Sequence, residues 1–120
     1  MKLIIGTANF LKPYGIKKKI IKKKNLKNIF KYSFKKKIYY FDCSENYGNL
    51  KFINEYFFKQ TKIFYKIKVE NIKKKTLFEE MQNIKKYIYY IMIHNIDHSS
   101  IKKLKKNYLD LKNITKNFAN

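Results

Sequence analysis

The segment Ile38-Tyr39-Tyr40-Phe41-Asp42 (residues 38–42) carries the pattern that predicts the fold of this chain. It is a short run of β-forming residues that ends at an ionisable side chain. Similar runs rich in Ile, Tyr and Phe recur at residues 3–5, 63–67 and 87–93. Each is too short for a stable helix, so all four are predicted to be strands. They are almost continuously apolar, which is typical of parallel strands covered on both faces.

The segments that separate these runs have helical spacing, with apolar residues three or four positions apart. The apolar positions are Leu26, Ile29, Phe30 and Phe34, then Leu50, Ile53, Tyr56 and Phe57, then Leu77, Met81 and Ile84, and last Ile101, Leu104, Tyr108 and Leu111. Asn49 is predicted to cap the second helix, and Thr76 with Glu79 resembles a capping box on the third. The fourth is expected to begin near Ser99 or Ser100. Four β-α units in succession predict an α/β fold with parallel strands.

The formal net charge of +21 would suit a nucleic acid or an anionic membrane surface as partner. All 29 basic residues are lysine, however, and arginine makes the bidentate contacts to phosphate and guanine. The abundant Lys, Ile, Asn, Tyr and Phe all have A/T-rich codons. We therefore interpret the charge as compositional bias on solvated faces, with a lysine-rich module that binds nucleic acid or another anionic surface as the alternative.

The single cysteine, Cys43, cannot form an intramolecular disulfide, so a reducing compartment, the cytoplasm, is expected. We interpret its side chain as a small buried hydrophobe rather than a nucleophile. The longest apolar run, residues 87–93, is far shorter than the ~20 residues needed to cross a bilayer, so no membrane partner is expected. His98 is predicted to lie in a loop after Asp97, without a second histidine or cysteine at metal-ligand spacing, and no metal site is expected.

Ionisable side chains stand at the ends of three predicted strands: Asp42, Lys66 and His94. In a parallel β/α protein these ends meet at one edge of the sheet, where active sites are built. Taken singly, Asp42 would serve as a turn or cap residue, Lys66 as one lysine among many and His94 as a half-buried histidine with its bonds satisfied. Together at successive strand ends, they form a candidate site.

Phe41-Asp42-Cys43-Ser44-Glu45-Asn46-Tyr47-Gly48-Asn49 is similar to the second-strand signature of the aldo-keto reductases, in which an aspartate precedes a Tyr-Gly pair by five residues. Lys2-Leu3-Ile4-Ile5-Gly6-Thr7-Ala8-Asn9-Phe10, with Tyr14-Gly15-Ile16, resembles the family's first strand and loop. Lys62-Ile63-Phe64-Tyr65-Lys66 resembles its third strand, and Tyr89-Tyr90-Ile91-Met92-Ile93-His94-Asn95 its fourth. The sequence departs from the family at Tyr65, where a small hydroxyl residue is common, and at Cys43-Ser44, which replaces a Thr-Ala pair; a bulky Tyr65 would be expected to crowd the site.

The resemblance spans about residues 2–95 and covers four of the eight β/α units of the family's barrel. It implies a single truncated domain over residues 1–120, half of a (β/α)8 barrel. Residues 107–120 align with no later element of the family. The family holds the phosphates and adenosine of its cofactor mainly with loops after the seventh and eighth strands, which have no counterpart here. Self-association, a second half-barrel chain or a non-catalytic remnant are therefore the three expectations, since an open half-barrel exposes strand edges.

The resemblance also implies a function, the NAD(P)H-dependent reduction of a carbonyl in an aldehyde, ketone or sugar. Tyr47 would be the general acid, donating its phenolic proton to the substrate oxygen as hydride arrives from the nicotinamide. Lys66 would favour the phenolate, Asp42 would hold Lys66 through an ion pair, and His94 would orient the carbonyl. The implied cofactor-binding residues for NADP or NAD are Gly6, Thr7 and Asp42, and the implied substrate-binding residues are Tyr47, His94 and Asn95.

Overall fold

The computed structural model describes residues 2–118, which fold around a parallel four-stranded sheet of order β1-β2-β3-β4. The strands are Ile4–Gly6 (β1), Tyr40–Ser44 (β2), Lys62–Ile67 (β3) and Ile88–Ile93 (β4). The helices are Lys23–Lys35 (α1), Leu50–Ile53 (α2), Lys75–Ile84 (α3), His98–Lys106 (α4) and Tyr108–Phe118 (α5). The predicted α/β class, with parallel strands alternating with helices, is confirmed. Strand β2 runs further than predicted, so Asp42 lies within it rather than at its end.

Helices cover one face of this sheet and form the core with it. Phe41, Cys43, Ile63, Tyr65 and Ile67 point to this face and are almost completely buried. Their partners come from all five helices: Leu26 and Phe30 of α1, Leu50 and Ile53 of α2, Leu77, Met81 and Ile84 of α3, Leu104 of α4, and Leu111 and Ile114 of α5. Burying each large apolar side chain contributes about 1.5–3 kcal/mol, so this face holds the fold together.

The opposite face of the sheet is open, and the expectation that the strands are covered on both faces is wrong. Ile4, Tyr89, Tyr90 and Met92 remain between about a third and a half exposed there. Among residues 2–118, no helix packs over these side chains. An apolar run in a sequence does not distinguish a strand buried on two faces from one whose second face is aromatic but exposed.

A β-bulge in the β3–β4 pair gives the open face an additional ring. Ile63 pairs with Ile88, but the next residue, Phe64, pairs with Tyr90, which leaves Tyr89 as the extra residue. A bulge of this kind disturbs the alternation of side chains and re-aims one of them. The Tyr89 and Tyr90 rings consequently both contact Phe64, at centroid distances of 5.7 and 5.5 Å.

The predicted start of α2 after Asn49 is confirmed, whereas the predicted start of α3 at Thr76 is wrong. Asn49 does occupy the N-cap position of α2, but its side chain makes no cap hydrogen bond within the described chain and points elsewhere. Helix α3 begins at Lys75, one residue before Thr76, so the proposed capping box with Glu79 does not form. Glu79 instead lies 3.7 Å from the Lys75 ammonium on the exposed helix surface.

The C-terminal region also differs from its prediction. Helix α4 begins at His98, earlier than Ser99 or Ser100, because the Asp97 carboxylate accepts a hydrogen bond from the Ser100 backbone N–H at 2.6 Å. His98 is therefore helical rather than part of a loop. The predicted fourth helix is broken at Asn107 into α4 and α5, and residues 119 and 120 lie outside the described part.

The second helical segment is shorter than predicted. It ends at Ile53 and continues as a 3₁₀ turn, Asn54–Tyr56, before Phe57 becomes extended.

Across residues 2–118, none of the helices combines the length and the apolar character needed to span a bilayer.

Candidate functional site

Asp42, Lys66 and Tyr47 meet on the open face of the sheet, near the carboxyl ends of its strands. Asp42 lies on β2, Lys66 on the neighbouring β3, and Tyr47 in the 3₁₀ turn that follows β2. The Lys66 ammonium donates to Asp42 Oδ2 and to Tyr47 Oη, both at 2.8 Å. Three of the four residues predicted to be catalytic are thus joined by hydrogen bonds.

The turn that holds Tyr47 follows from the sequence Ser44-Glu45-Asn46-Tyr47-Gly48. Ser44 ends β2, and its hydroxyl accepts a hydrogen bond from the Asn46 backbone N–H at 3.3 Å. Gly48 then adopts a left-handed conformation with φ of +57°, which a side-chain-bearing residue enters only with strain. The chain therefore reverses just after Tyr47, whose side chain is directed back toward Lys66 and is only 7% exposed.

Glu45 fixes the same turn to the loop after β3. Its carboxylate accepts hydrogen bonds from the Lys68 backbone N–H and from Asn71 Nδ2. The two loops that flank the site are consequently joined by a charged acceptor. No role for Glu45 was predicted, and the only signal in the sequence is its place between the aspartate and the tyrosine.

Asn49 fixes the loop after β1 to the loop after β2. It is 1% exposed, and its Nδ2 donates to the carbonyls of Thr7 and Phe10 at 2.7 and 2.9 Å. The Thr7 hydroxyl in turn donates to the Asp42 carbonyl at 2.9 Å and lies 3.6 Å from Cys43 Sγ. The hydroxyl of Thr7 is thus engaged within the protein, and its part in binding a cofactor stays a prediction.

Gly6 lies beside Asp42 and leaves open space there. The two residues are paired in register across β1 and β2. A Cβ built on Gly6 would have no atom of the described chain within 4 Å. Asp42 Oδ1, on the same face, is buried and has no hydrogen-bond partner among the described residues. Open space beside an unpaired acceptor is what a site for a hydrogen-bonding ligand requires.

The charge of Lys66 is maintained by its partners. Burial lowers the pKa of its ammonium, but the hydrogen bonds to Asp42 and Tyr47, with the negative charge of Asp42, outweigh burial and raise the pKa above its usual value. Lys66 is therefore a cation at neutral pH, and it directs that charge at the phenolic oxygen of Tyr47.

His94 stands at the end of β4 and is not bonded to the other three residues. Its backbone N–H donates to the Ile67 carbonyl at 2.8 Å and so extends the sheet. Its Nδ1 is buried without a hydrogen-bond partner in the part of the chain that the structure describes. Asn95 follows in a left-handed conformation with φ of +55°, which asparagine tolerates better than most residues. The substrate-binding roles of His94 and Asn95 stay predictions.

Tyr65 does not crowd the site, because it belongs to the covered face. It is completely buried in the core, whereas Lys66, its neighbour in sequence, points to the open face. The Tyr65 hydroxyl lies beside the carboxylate of Glu80. Burial, followed by the nearby carboxylate of Glu80, raises the pKa of Tyr65, and burial likewise raises that of Glu80.

Cys43 is buried as predicted, between Thr7 and the core. Burial raises the pKa of its thiol to about 12, despite the opposing hydrogen bond from Thr7. A thiol in this state is neutral at physiological pH and is a poor nucleophile.

Tyr14 was not predicted to belong to the site, but it covers Tyr47. Their rings meet edge to face with centroids 5.4 Å apart, and Tyr14 itself is 53% exposed. The one signal in the sequence was its place in the first loop, before Gly15. Tyr14 thus packs its ring against that of Tyr47 at the edge of the site.

Within residues 2–118, no group of three or more His, Cys, Asp and Glu side chains is placed to hold a metal ion. Neither a protein-family model, nor a curated protein, nor a solved structure matches this chain.

Proposed function

We propose that this chain carries the proton-donating site of an aldo-keto reductase and takes part in the reduction of a carbonyl with NADPH or NADH. The observation that carries the proposal is the placement of one ammonium, that of Lys66, at 2.8 Å from both Tyr47 Oη and Asp42 Oδ2. These residues are joined in the same order and spacing that suggested the family from the sequence.

The geometry suits Tyr47 as the general acid. Reduction of a carbonyl places negative charge on its oxygen, and a proton must reach that oxygen from a positioned donor. Tyr47 can give its phenolic proton because Lys66 stabilises the phenolate left behind through a short charge-assisted hydrogen bond. Asp42 holds Lys66 in place, and the low exposure of Tyr47 strengthens these electrostatic interactions.

The cofactor, when bound, supplies the hydride. Asp42 and Gly6 are the residues that would hold its reactive end, because Asp42 Oδ1 is an unpaired buried acceptor and the space over Gly6 is open. His94 Nδ1, also buried and unpaired in the described chain, would donate a hydrogen bond to the substrate carbonyl in the tautomer that carries its proton on Nδ1. An aldehyde, a ketone or a sugar would each present that group.

The order of the strands supports a half-barrel. A (β/α)8 barrel places successive parallel strands side by side with all helices outside, whereas doubly wound sheets reverse their strand order and carry helices on both faces. Here the order is β1-β2-β3-β4 and the helices cover one face. In this proposal the open face becomes the barrel interior, and a second copy of the chain, joined at the strand edges, supplies the other four strands.

Hydride transfer tests the proposal. The purified chain is incubated with NADPH deuterated at the transferred position and a panel of aldehydes, and deuterium in the alcohol is measured by mass spectrometry. The oligomeric state is determined by light scattering in the same buffer. Tyr47→Phe should lower transfer by about 10²–10⁴-fold, the usual contribution of a general acid, while cofactor binding persists.

Tyr32→Phe is the matched control, because Tyr32 is an exposed tyrosine on α1, outside the site. It should transfer deuterium at the wild-type rate. Equal transfer by wild-type chain and Tyr47→Phe, or no transfer by any species of the wild-type chain, would contradict the proposal.

A further inference from the structure

Four aromatic rings form a continuous surface on the open face of the sheet, here called the aromatic platform: Tyr40, Phe64, Tyr89 and Tyr90. Adjacent rings lie close together, with centroids 5.9 Å apart for Tyr40 and Phe64, 5.5 Å for Phe64 and Tyr90, and 4.5 Å for Tyr89 and Tyr90. The platform occupies the amino-terminal half of the strands, away from Tyr47 at their carboxyl ends.

Two rings of the platform, Tyr89 and Tyr90, are exposed because of the β-bulge, whereas Tyr40 and Phe64 are half-buried. Tyr90 is 55% and Tyr89 42% exposed, although aromatic rings of this size contribute most when they are buried. Without the bulge, two consecutive residues of β4 would point to opposite faces. Because Tyr89 is the extra residue of the bulge, both tyrosines lie on the open face.

Two lysines border the platform. The Lys2 ammonium lies 5.3 Å from the Tyr40 ring centroid, and the Lys62 ammonium lies 4.7 Å from that of Tyr89 and 5.8 Å from that of Tyr40. Neither ammonium makes an ion pair with any residue between 2 and 118. Asp42, the acid on this face, is already bound to Lys66. The surface around the rings is therefore positive.

We infer that the aromatic platform binds single-stranded nucleic acid, with bases stacked on the rings and phosphates held by Lys2 and Lys62. Exposed rings on a sheet face that is bordered by cations are how proteins bind unpaired bases, because every base has a π face and every nucleotide a phosphate. A duplex hides those base faces, so single strands are the form that fits. The phenolic hydroxyls of the three tyrosines add hydrogen-bonding groups that a purely apolar docking face would lack.

Charge favours this ligand over a second copy of the chain packed face to face on the platform. Each chain has a formal net charge of +21, and two open faces in contact would bring their Lys2 and Lys62 side chains together. Like charges at that density oppose association, whereas a polyanion releases counterions when it binds. Composition alone argued against nucleic acid, because arginine is lacking, but stacking on tyrosine needs no arginine.

This inference does not rest on the proposed function. A second half-barrel seated on the open face would cover the platform, so a chain bound to nucleic acid and a closed barrel are alternative states.

Fluorescence anisotropy tests the inference with labelled twelve-nucleotide oligo(dT) and oligo(U), a duplex of the same length, and heparin as a polyanion without bases. Tyr89→Ala and Tyr90→Ala should each weaken single-strand binding by at least about fivefold, the lower end of the effect of losing one stacked base. Heparin binding should not change, because it depends on charge. Tyr89→Phe and Tyr90→Phe keep the rings and should bind nearly as well as wild type.

Tyr32→Ala is the matched control. Tyr32 is 61% exposed, and its ring centroid lies 5.7 Å from the Lys36 ammonium. It therefore reproduces one tyrosine–lysine pair outside the platform. It should bind both oligonucleotides as wild type does. Circular dichroism of each variant shows whether the fold persists. The inference is overturned if the platform variants fold and bind the single strands as tightly as wild type, if duplex and single strands bind equally, or if light scattering shows a dimer that excludes the oligonucleotides.

Discussion

The two faces of the sheet are built from alternate residues of the same strands, yet they differ in almost every physical property. On β3, Ile63, Tyr65 and Ile67 are completely buried under the helices, whereas Phe64 and Lys66 face the open side. The covered face carries the apolar contacts that stabilise the fold. The open face carries the aromatic rings and the charged groups, so the candidate site lies where packing is weakest.

The difference extends to the ionisable groups of each face. On the covered face, burial raises the pKa values of Cys43 and Tyr65 and so extends the pH range over which both groups are neutral. On the open face, Lys66 remains charged because Asp42 and Tyr47 compensate its partial burial. A strand that alternates between the two environments thus separates neutral packing groups from charged groups.

Thiol labelling should give the largest contrast between the faces. Cys43 should react with a thiol reagent only through unfolding, because its thiol is buried and its pKa is raised to about 12. A second cysteine introduced as Met92→Cys, on the open face, should react at once. With an unfolding free energy of at least about 5 kcal/mol, the two rates should differ by roughly a thousandfold or more. Comparable rates measured by mass spectrometry would show that the covered face is not closed.

Side-chain truncation should give the next largest difference between the two faces, measured as the loss in free energy of unfolding. Ile67→Ala removes a fully buried side chain and should lower the free energy of unfolding by about 2–5 kcal/mol. Met92→Ala, on the neighbouring strand but 36% exposed, should change it by less than about 0.5 kcal/mol. Urea unfolding measures both. A larger loss for Met92→Ala would mean that something in the free protein covers the open face.

Removing the carboxylate of Asp42 should have a smaller effect on the free energy of unfolding. Asp42→Asn leaves Lys66 partly buried without its carboxylate and should cost about 1.5–3 kcal/mol, the usual contribution of a hydrogen bond to a charged group. Asp110→Asn is the control, because the ion pair of Asp110 with Lys73 at 3.1 Å is exposed on both sides. Such a surface pair contributes at most about 1 kcal/mol. Equal losses in urea unfolding would remove the distinction between the site pair and an ordinary surface pair.

The smallest expected effect on the free energy of unfolding is the pH dependence of the Asp42–Lys66 ion pair. Because the pKa of Lys66 in the folded chain lies above 10.5, its stabilising contribution is fully present below pH 10.5 and is lost as pH rises through the folded pKa. The difference in unfolding free energy between wild type and Lys66→Met should therefore shrink above that pH. Lys73→Met, which breaks the exposed pair, is the control. A difference that grows with alkaline pH would contradict the direction of the shift.

The fold was predictable because its signals are local. Short β-forming runs separated by helical spacing gave the four parallel strands and their order of appearance. What the runs could not show was that one face is open, since Phe64 and Ile63 are equally apolar in sequence but differ in what packs over them. The bulge that brings Tyr89 beside Tyr90 depends on pairing between two strands and has no signal in either one.

The site was predictable in part, for the same reason. Asp42, Lys66 and Tyr47 were found from strand ends and from a motif in the sequence. Glu45 and Asn49 hold the surrounding loops through hydrogen bonds to groups 23 to 42 residues away. The periodicity of apolar residues in the sequence does not indicate such distant contacts. The predicted cap of α3 is wrong because a Thr-x-x-Glu pattern fixes a helix start only if the threonine occupies the N-cap position, and that position is held by Lys74, two residues earlier.

The most direct test of the proposed site is a fluorescence titration of the chain with NADPH, run beside the Asp42→Ala and Tyr47→Phe variants. We expect saturable binding by the wild-type chain and by Tyr47→Phe, and weaker binding by Asp42→Ala, because Asp42 borders the open space over Gly6. A titration that shows no saturable binding by any species of the wild-type chain would contradict the assignment of this face to a reductase.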